Sequence, residues 1–115
     1  MKKIKAQKPY LLNSFSANLL KVFPAQVEFV EISVDQARDL LSVGFVSVVG
    51  HANTALRFKQ LLALDVRVSR RRKTVHLSPG AWAVLGQYSG PRLDEGITEL
   101  PANAPFRWFR VAVVR

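Results

Sequence analysis

The chain reads as a single α/β domain, residues 1–115, with a mixed sheet of about five to six strands flanked by helices. Three observations predict this class. Short apolar segments alternate with stretches of helical spacing as far as Leu62. Beyond them, Thr74–Leu77 and Trp82–Tyr88 flank the turn signal Ser78-Pro79-Gly80, the pattern of a hairpin. Hydrophobic residues make up 49% of the 115 residues, enough for one core and too many for a disordered chain.

The elements follow in order. Tyr10–Leu12 is the first strand. Asn13 or Ser14 caps a short helix running to Leu20, with Phe15, Leu19 and Leu20 on one face, and Pro24 stops it. Val27, Phe29, Val30 and Ile32 form the second strand. Ser33 and Gln36 have capping-box spacing and open a helix carrying Ala37, Leu40 and Leu41, which closes before Gly44. Phe45–Val49 is the third strand. A helical pattern from about Asn53 holds Ala55, Leu56, Phe58, Leu61 and Leu62. After the hairpin comes a loop, Gly90-Pro91-Arg92-Leu93-Asp94-Glu95-Gly96, then a proline-interrupted stretch and a last strand, Phe106–Val114.

Charge narrows the range of partners. Seventeen Lys and Arg stand against eight Asp and Glu, a net charge of +9, and the pI is about 10.7. That balance points to a polyanion: nucleic acid, a nucleotide or a membrane surface. The chain has no cysteine, so disulfides and thiolate metal sites are excluded. Lys2, Lys3, Lys5 and Lys8 precede Tyr10-Leu11-Leu12 in the manner of a signal peptide. Asn13, Ser14, Ser16 and Asn18 then break the apolar run, and no small-x-small cleavage site follows clearly. Residues 1–8 are therefore read as a basic extension. No stretch reaches the length of a membrane span, and the expected setting is cytoplasmic.

The most informative residue is His51, in Val48-Val49-Gly50-His51-Ala52-Asn53-Thr54. It falls where a strand hands over to a helix N-terminus, whose backbone N–H groups and dipole attract anions. Two readings fit equally: a capping or packing residue, or a proton-transfer group beside a phosphate. His76, with basic residues before it, reads as structural or surface. Two histidines without an acidic cluster give no metal-ligand spacing, so no metal and no cofactor is expected. Arg92 can grip a phosphate with its planar fork, and Glu95 can orient a hydroxyl or balance an imidazolium; a solvated turn explains the same loop. Asn13 and Ser16 can cap a helix. In an open α/β sheet, however, ligands sit beyond the C-terminal strand ends, where Asn13, Ser16, His51, Asn53 and Thr54 would line one crevice. The run Arg67 to Lys73, five basic residues in seven positions, is either a solvated segment or an electrostatic lure for an anion. The chain contains no glycine-rich phosphate loop, serine elbow or cysteine nucleophile.

Three blocks join these pieces: Tyr10-Leu11-Leu12-Asn13-Ser14-Phe15-Ser16 with Leu19-Leu20 and Phe23-Pro24; Val49-Gly50-His51-Ala52-Asn53-Thr54; and Arg92-Leu93-Asp94-Glu95-Gly96. Together, and in this order, they resemble the viral ring nucleases that act as type III anti-CRISPR proteins and have cellular relatives. The likeness extends through the last strand. It implies a homodimer that binds cyclic tetra-adenylate and cleaves it without metal to linear di-adenylate with 2′,3′-cyclic phosphate ends. By the same resemblance His51 is the catalytic histidine, a general acid, with Glu95 and Arg92 beside it. Asn13, Ser16, Gly50, Thr54 and Gln87 stand at ligand-contacting positions; the Gln87 register needs one extra residue before Arg92. Asn53 stands where viral members often carry serine, and the usual helix before the last strand is shortened to Thr98–Pro105. Two other readings remain open: a non-catalytic binder of the cyclic nucleotide, and a small basic DNA- or RNA-binding regulator, with a polynucleotide the less favoured partner. No membrane partner is expected.

Overall fold

The computed structural model describes residues 8–69, 75–91 and 104–115. Five strands form one mixed sheet: β1 (Tyr10–Leu12), β2 (Val27–Ile32), β3 (Val46–Ser47), β4 (Trp82–Tyr88) and β5 (Phe106–Val113). Two helices, α1 (Val34–Leu41) and α2 (Ala52–Leu62), connect them. The strand order is β2-β5-β4-β1-β3. β1 runs parallel to both of its neighbours, with Tyr10 opposite Val46 on one side and Ala83 on the other. β5 is antiparallel to β2 and β4. The α/β class and the mixed sheet predicted above are therefore those of the structure.

Both helices lie on one face of the sheet. There Leu11, Val84 and Trp108 pack with Ala37 and Leu41 from α1 and with Ala55, Phe58 and Leu62 from α2. The opposite face carries Leu12, Ala83, Leu85, Val111 and Val113, covered by Leu77 and Ala81 and by Phe15, Leu19 and Leu20. Leu11 and Leu12 are 0% and 1% exposed, so this three-residue strand anchors both layers.

The capping box is present as predicted: the Gln36 N–H donates to the Ser33 Oγ, and the Ser33 N–H donates to the Gln36 Oε1. Helix α2 has no such terminus. It ends at Ala63 in a left-handed conformation, φ 53°, a position that favours glycine. Its last carbonyls are capped instead from α1. The Arg38 Nε donates to the Leu62 O at 2.8 Å, and its Nη2 donates to the Leu61 O at 3.1 Å.

Several boundaries differ from expectation. The helix from Asn13 or Ser14 to Leu20 is a single 3₁₀ turn, Ala17–Leu19. Asn13, Ser14, Ser16 and Asn18 are weak helix formers, and extended pairing takes over at Leu20, which bridges Leu77 in parallel. That bridge also removes the expected hairpin, because the described part of Thr74–Leu77 pairs with residue 20 and not with β4. The third strand shortens from Phe45–Val49 to Val46–Ser47. The last strand ends at Val113, not Val114. Arg70 to Thr74 lie outside the described residues, as do Lys2, Lys3 and Lys5.

One position in β4 depends on the absence of a side chain. A Cβ on Gly86 would lie 2.6 Å from the Phe58 Cζ and 2.6 Å from the Trp108 Cζ3. Gly86→Ala should therefore overpack the centre of the helical layer and cost about 1–3 kcal/mol, read by urea denaturation; an unchanged midpoint would contradict this packing. From β5, the Arg107 Nε and Nη2 donate to both carboxylate oxygens of Glu31 on β2, at 2.9 and 3.0 Å. That hydrogen bonding, aided by the guanidinium charge, holds the Glu31 carboxyl below its ordinary range. Its contribution to stability is present above the ordinary carboxylate pKa and is lost as pH falls through the lowered one. Arg107→Ala should raise the Glu31 titration midpoint, followed by NMR of its side-chain carbonyl.

Candidate functional site

Because β1, β3 and β4 all run in the same direction, their C-terminal ends share one edge of the sheet. Asn13 leaves β1 there, half-buried. Gly50 and His51 follow β3, both exposed. Gln87 lies near the end of β4, also exposed, two residues past the Leu12–Leu85 pair. In α/β sheets this edge is where ligands bind, because strand ends and helix starts leave backbone groups and loops available.

The junction between β3 and α2 is built by few bonds. The Val48 N–H donates to the Leu11 O at 2.9 Å, prolonging the pairing with β1. Val49 is fully buried and fixes the chain before it turns. Beyond it, Gly50 has open space around a hypothetical Cβ. His51 is the N-cap residue of α2, with φ −122° and ψ 130°. Its carbonyl accepts the first helical bond, from the Ala55 N–H at 3.0 Å. Its imidazole makes no capping hydrogen bond. Of the two readings of this residue, side-chain capping is therefore the one the geometry lacks. Asn53 and Thr54 lie in the first turn of α2, exposed and half-buried respectively.

The electrostatics of that turn differ from those of α1. Helix α1 carries Asp35 in its first turn, whereas α2 carries no acidic residue there. The N-terminal N–H groups of α2 and the positive end of its dipole face an edge with no carboxylate in the same turn.

The remaining expected residues fall differently. Ser16 is the N-cap of the 3₁₀ turn, exposed, with no side-chain cap bond. Gln87 follows Gly86, whose missing Cβ faces Phe58 and Trp108 on the helical side. By strand alternation Gln87 belongs to the opposite face, so it shares the edge with His51 but not the layer. Arg92 and Glu95 lie outside the described residues.

The flanks of that loop are fixed by side chains that sequence patterning did not single out. The Tyr88 Oη donates to the Pro91 O at 2.8 Å, and the Ser89 N–H donates to the Pro105 O at 2.9 Å. The Arg57 Nε, on α2, donates to the Ala104 O at 3.4 Å. Tyr88, Phe106 and Phe58 stack edge to face, with centroids 5.9 and 5.0 Å apart. Residue 91 is thus tied to the C-terminal end of β4 and residue 104 to α2. No spacing rule announces Arg57 or Tyr88, because each acts on a backbone carbonyl, which carries no sequence signature. Ser47 has a similar role: its Oγ donates to the Arg67 O at 2.6 Å, and the Ser69 N–H reaches the Val49 O at 2.7 Å. The segment that enters the basic run therefore lies along β3 as far as the strand-to-helix junction. Among the described residues no three His, Cys, Asp or Glu side chains gather as a metal-binding group, and no helix is long and apolar enough to cross a membrane.

An α/β domain of this topology, with β1, β3 and β4 parallel and His51 at the β3–α2 junction, is the class the fold defines. Residues 9–103 match the STIV B116-like family model, and the chain belongs to that family. Among solved structures it is similar to B116 of Sulfolobus turreted icosahedral virus, with a TM-score of 0.70 and 22% identity over 92% of this chain and 99% of that protein. The family's namesake is thus a viral protein sharing this fold. No match is found among curated proteins.

The absence of a capping bond from the imidazole gives a direct test of what His51 is for. His51→Ser supplies a hydroxyl that can accept from the first-turn N–H groups. It should raise stability by about 1 kcal/mol in chemical denaturation. A loss of that size would show instead that the imidazole supports the fold.

Proposed function

We propose that this chain is a metal-independent ring nuclease that binds cyclic tetra-adenylate as a homodimer and cleaves it to linear di-adenylate, switching off type III CRISPR signalling. The observation that carries this reading is the exposed imidazole of His51 at the N-terminus of α2, on the edge that also presents Asn13 and Gln87. An anion at that terminus meets the positive pole of the helix, and a proton donor stands beside it. Family membership, and the resemblance of the His51 and Arg92–Glu95 blocks to viral ring nucleases, support the same reading.

The chemistry uses what RNA already carries. The ribose 2′-OH attacks the adjacent phosphorus, the P–O5′ bond breaks, and a 2′,3′-cyclic phosphate forms. The 5′-oxygen leaves with a proton from His51, and the proton of the 2′-OH passes to solvent or to a base. The ordinary imidazole pKa near 6.5 suits the donor role, and general acid catalysis of this kind contributes about 10²–10⁴-fold. Asn13, Ser16, Gly50, Asn53, Thr54 and Gln87 hold the ring in this reading, while Arg92 and Glu95 balance charge at the scissile phosphate. A two-fold dimer presents equivalent groups to opposite phosphates of a cyclic tetranucleotide, so two cuts give di-adenylate. Exposed Val22, Phe23 and Phe29 offer apolar surface for a second copy to cover.

The net charge of +9 favours a second reading, a basic polynucleotide binder. It would show a steep salt dependence on RNA or DNA and no preference for the cyclic ligand.

Incubation with cyclic oligoadenylates of several ring sizes, separated by chromatography, tests the proposal. The wild-type chain should convert cyclic tetra-adenylate with excess chelator present. His51→Ala should still bind the ring but cleave it about 10²-fold more slowly or less. Full activity in that variant overturns the general acid. Tight binding with unchanged ligand in the wild type makes the chain a sponge, and loss of activity with chelator means that a metal is required.

A further inference from the structure

The sheet carries a recess at its other edge. A cavity of about 320 Å³ is lined by Lys8, Tyr10, Val46, His76, Ser78 and Ala81, at the N-terminal ends of β1 and β3 and ahead of β4. Four of these side chains present hydrogen-bond donors: an ammonium, a phenol, an imidazole and a hydroxyl. Among the described residues no carboxylate lines the cavity. None of the four side chains is engaged in a hydrogen bond or ion pair with another described residue. Lys8 lines both this cavity and the adjoining recess, its stem lying across Gly44, the Cε 3.4 Å from where a Cβ would stand.

The adjoining recess makes the contrast. It is lined by Lys8, Gly44, Phe45, Ser47, Asp65 and Arg67. There Asp65 pairs with Arg67 at 3.4 Å and with Lys59 at 3.9 Å, and Ser47 donates to the Arg67 carbonyl. Asp65, Arg67 and Ser47 thus find partners within the chain, whereas Tyr10, His76 and Ser78 of the first recess have no side-chain partner among the described residues.

We propose that the recess formed by Lys8, Tyr10, His76 and Ser78 binds the phosphate group of a small phosphorylated ligand, separately from the His51 edge. The donor set suits an anion with several acceptor oxygens, and charge-assisted bonds from an ammonium are the stronger kind. The volume accommodates a phosphate with a sugar-sized remainder, within the range of small-molecule pockets. Val46 and Ala81 supply an apolar wall. The two edges are separated by the length of β1, three residues or about 10 Å, so one small ligand does not occupy both.

The experiment is a ¹H–¹⁵N NMR titration of the whole chain at constant ionic strength, first with inorganic phosphate and then with AMP. Saturable shifts at the amides of Tyr10, Val46, Ser78 and Ala81 are expected. Saturation with phosphate alone indicates a free-anion site, and tighter saturation with AMP indicates a phosphorylated nucleotide; either supports the proposal. The double variant Lys8→Ala, His76→Ala changes exposed side chains and should weaken binding at these amides at least tenfold, while His51→Ala leaves them unaffected. Shifts reproduced by sodium chloride overturn it. So do shifts confined to the His51 edge, or a response to single-stranded RNA with none to phosphate or AMP. Because the readout is local to these amides, its failure leaves the ring-nuclease reading standing, and the reverse also holds.

Discussion

The parallel pairing of β1 on both sides is the constraint on which the remainder depends. Three residues, Tyr10 to Leu12, carry it. Leu11 is buried under the two helices and Leu12 under the segments on the opposite face, so the same strand closes both layers. Were β1 antiparallel to either neighbour, Asn13 would leave the sheet at the edge opposite Gly50 or Gln87. Directional pairing, a property of the backbone alone, therefore assembles the candidate site before any functional side chain contributes. It also creates the second edge, where the strand beginnings bring Lys8 and Tyr10 beside His76.

Much of this architecture is legible in the sequence, for local reasons. The capping box Ser33–Gln36 acts within one turn and is realised as written. Trp82–Tyr88 is bounded by Pro79-Gly80 before it and Gly90-Pro91 after it, and its limits are those observed. Tyr10–Leu12 is likewise as read. The misreadings have a shared cause in long-range pairing. Leu77 has a turn and a ready strand just beyond it, yet it bridges Leu20, fifty-seven positions away. Apolar spacing at Phe15, Leu19 and Leu20 fits an α-helix, yet those side chains cover the sheet from a segment that holds only one 3₁₀ turn. Hydrophobic pattern indicates which residues face the core; it does not identify the partner that satisfies their backbone.

The candidate site was legible in kind more than in detail. A histidine after an apolar run and before a helical pattern is visible as residue order, and the structure makes it an N-cap whose ring makes no capping bond. That Gln87 lies on the other face of the sheet from α2 follows only once Gly86 is seen packed against Phe58 and Trp108. The tethers from Tyr88 to Pro91 and from Arg57 to Ala104 join groups that no spacing rule links. They are visible only in three dimensions, because one partner in each is a main-chain carbonyl, which has no sequence signature.

Arg38 gives α2 a property that neither end has alone. Its guanidinium sits on the carbonyls of Leu61 and Leu62, the pole where the helix accumulates negative partial charge, equivalent to about half an electron. No acidic side chain performs the matching service in the first turn. One terminal is therefore held by a cation, itself shared with Asp35 at 3.0 Å, and the other carries no acidic residue in its own turn. Over eleven residues, a length of about 16 Å at 1.5 Å per residue, the positive pole of α2 points toward His51. A polyanion drifting near meets that pole before any side chain, and the arginine of α1 offsets the opposite one.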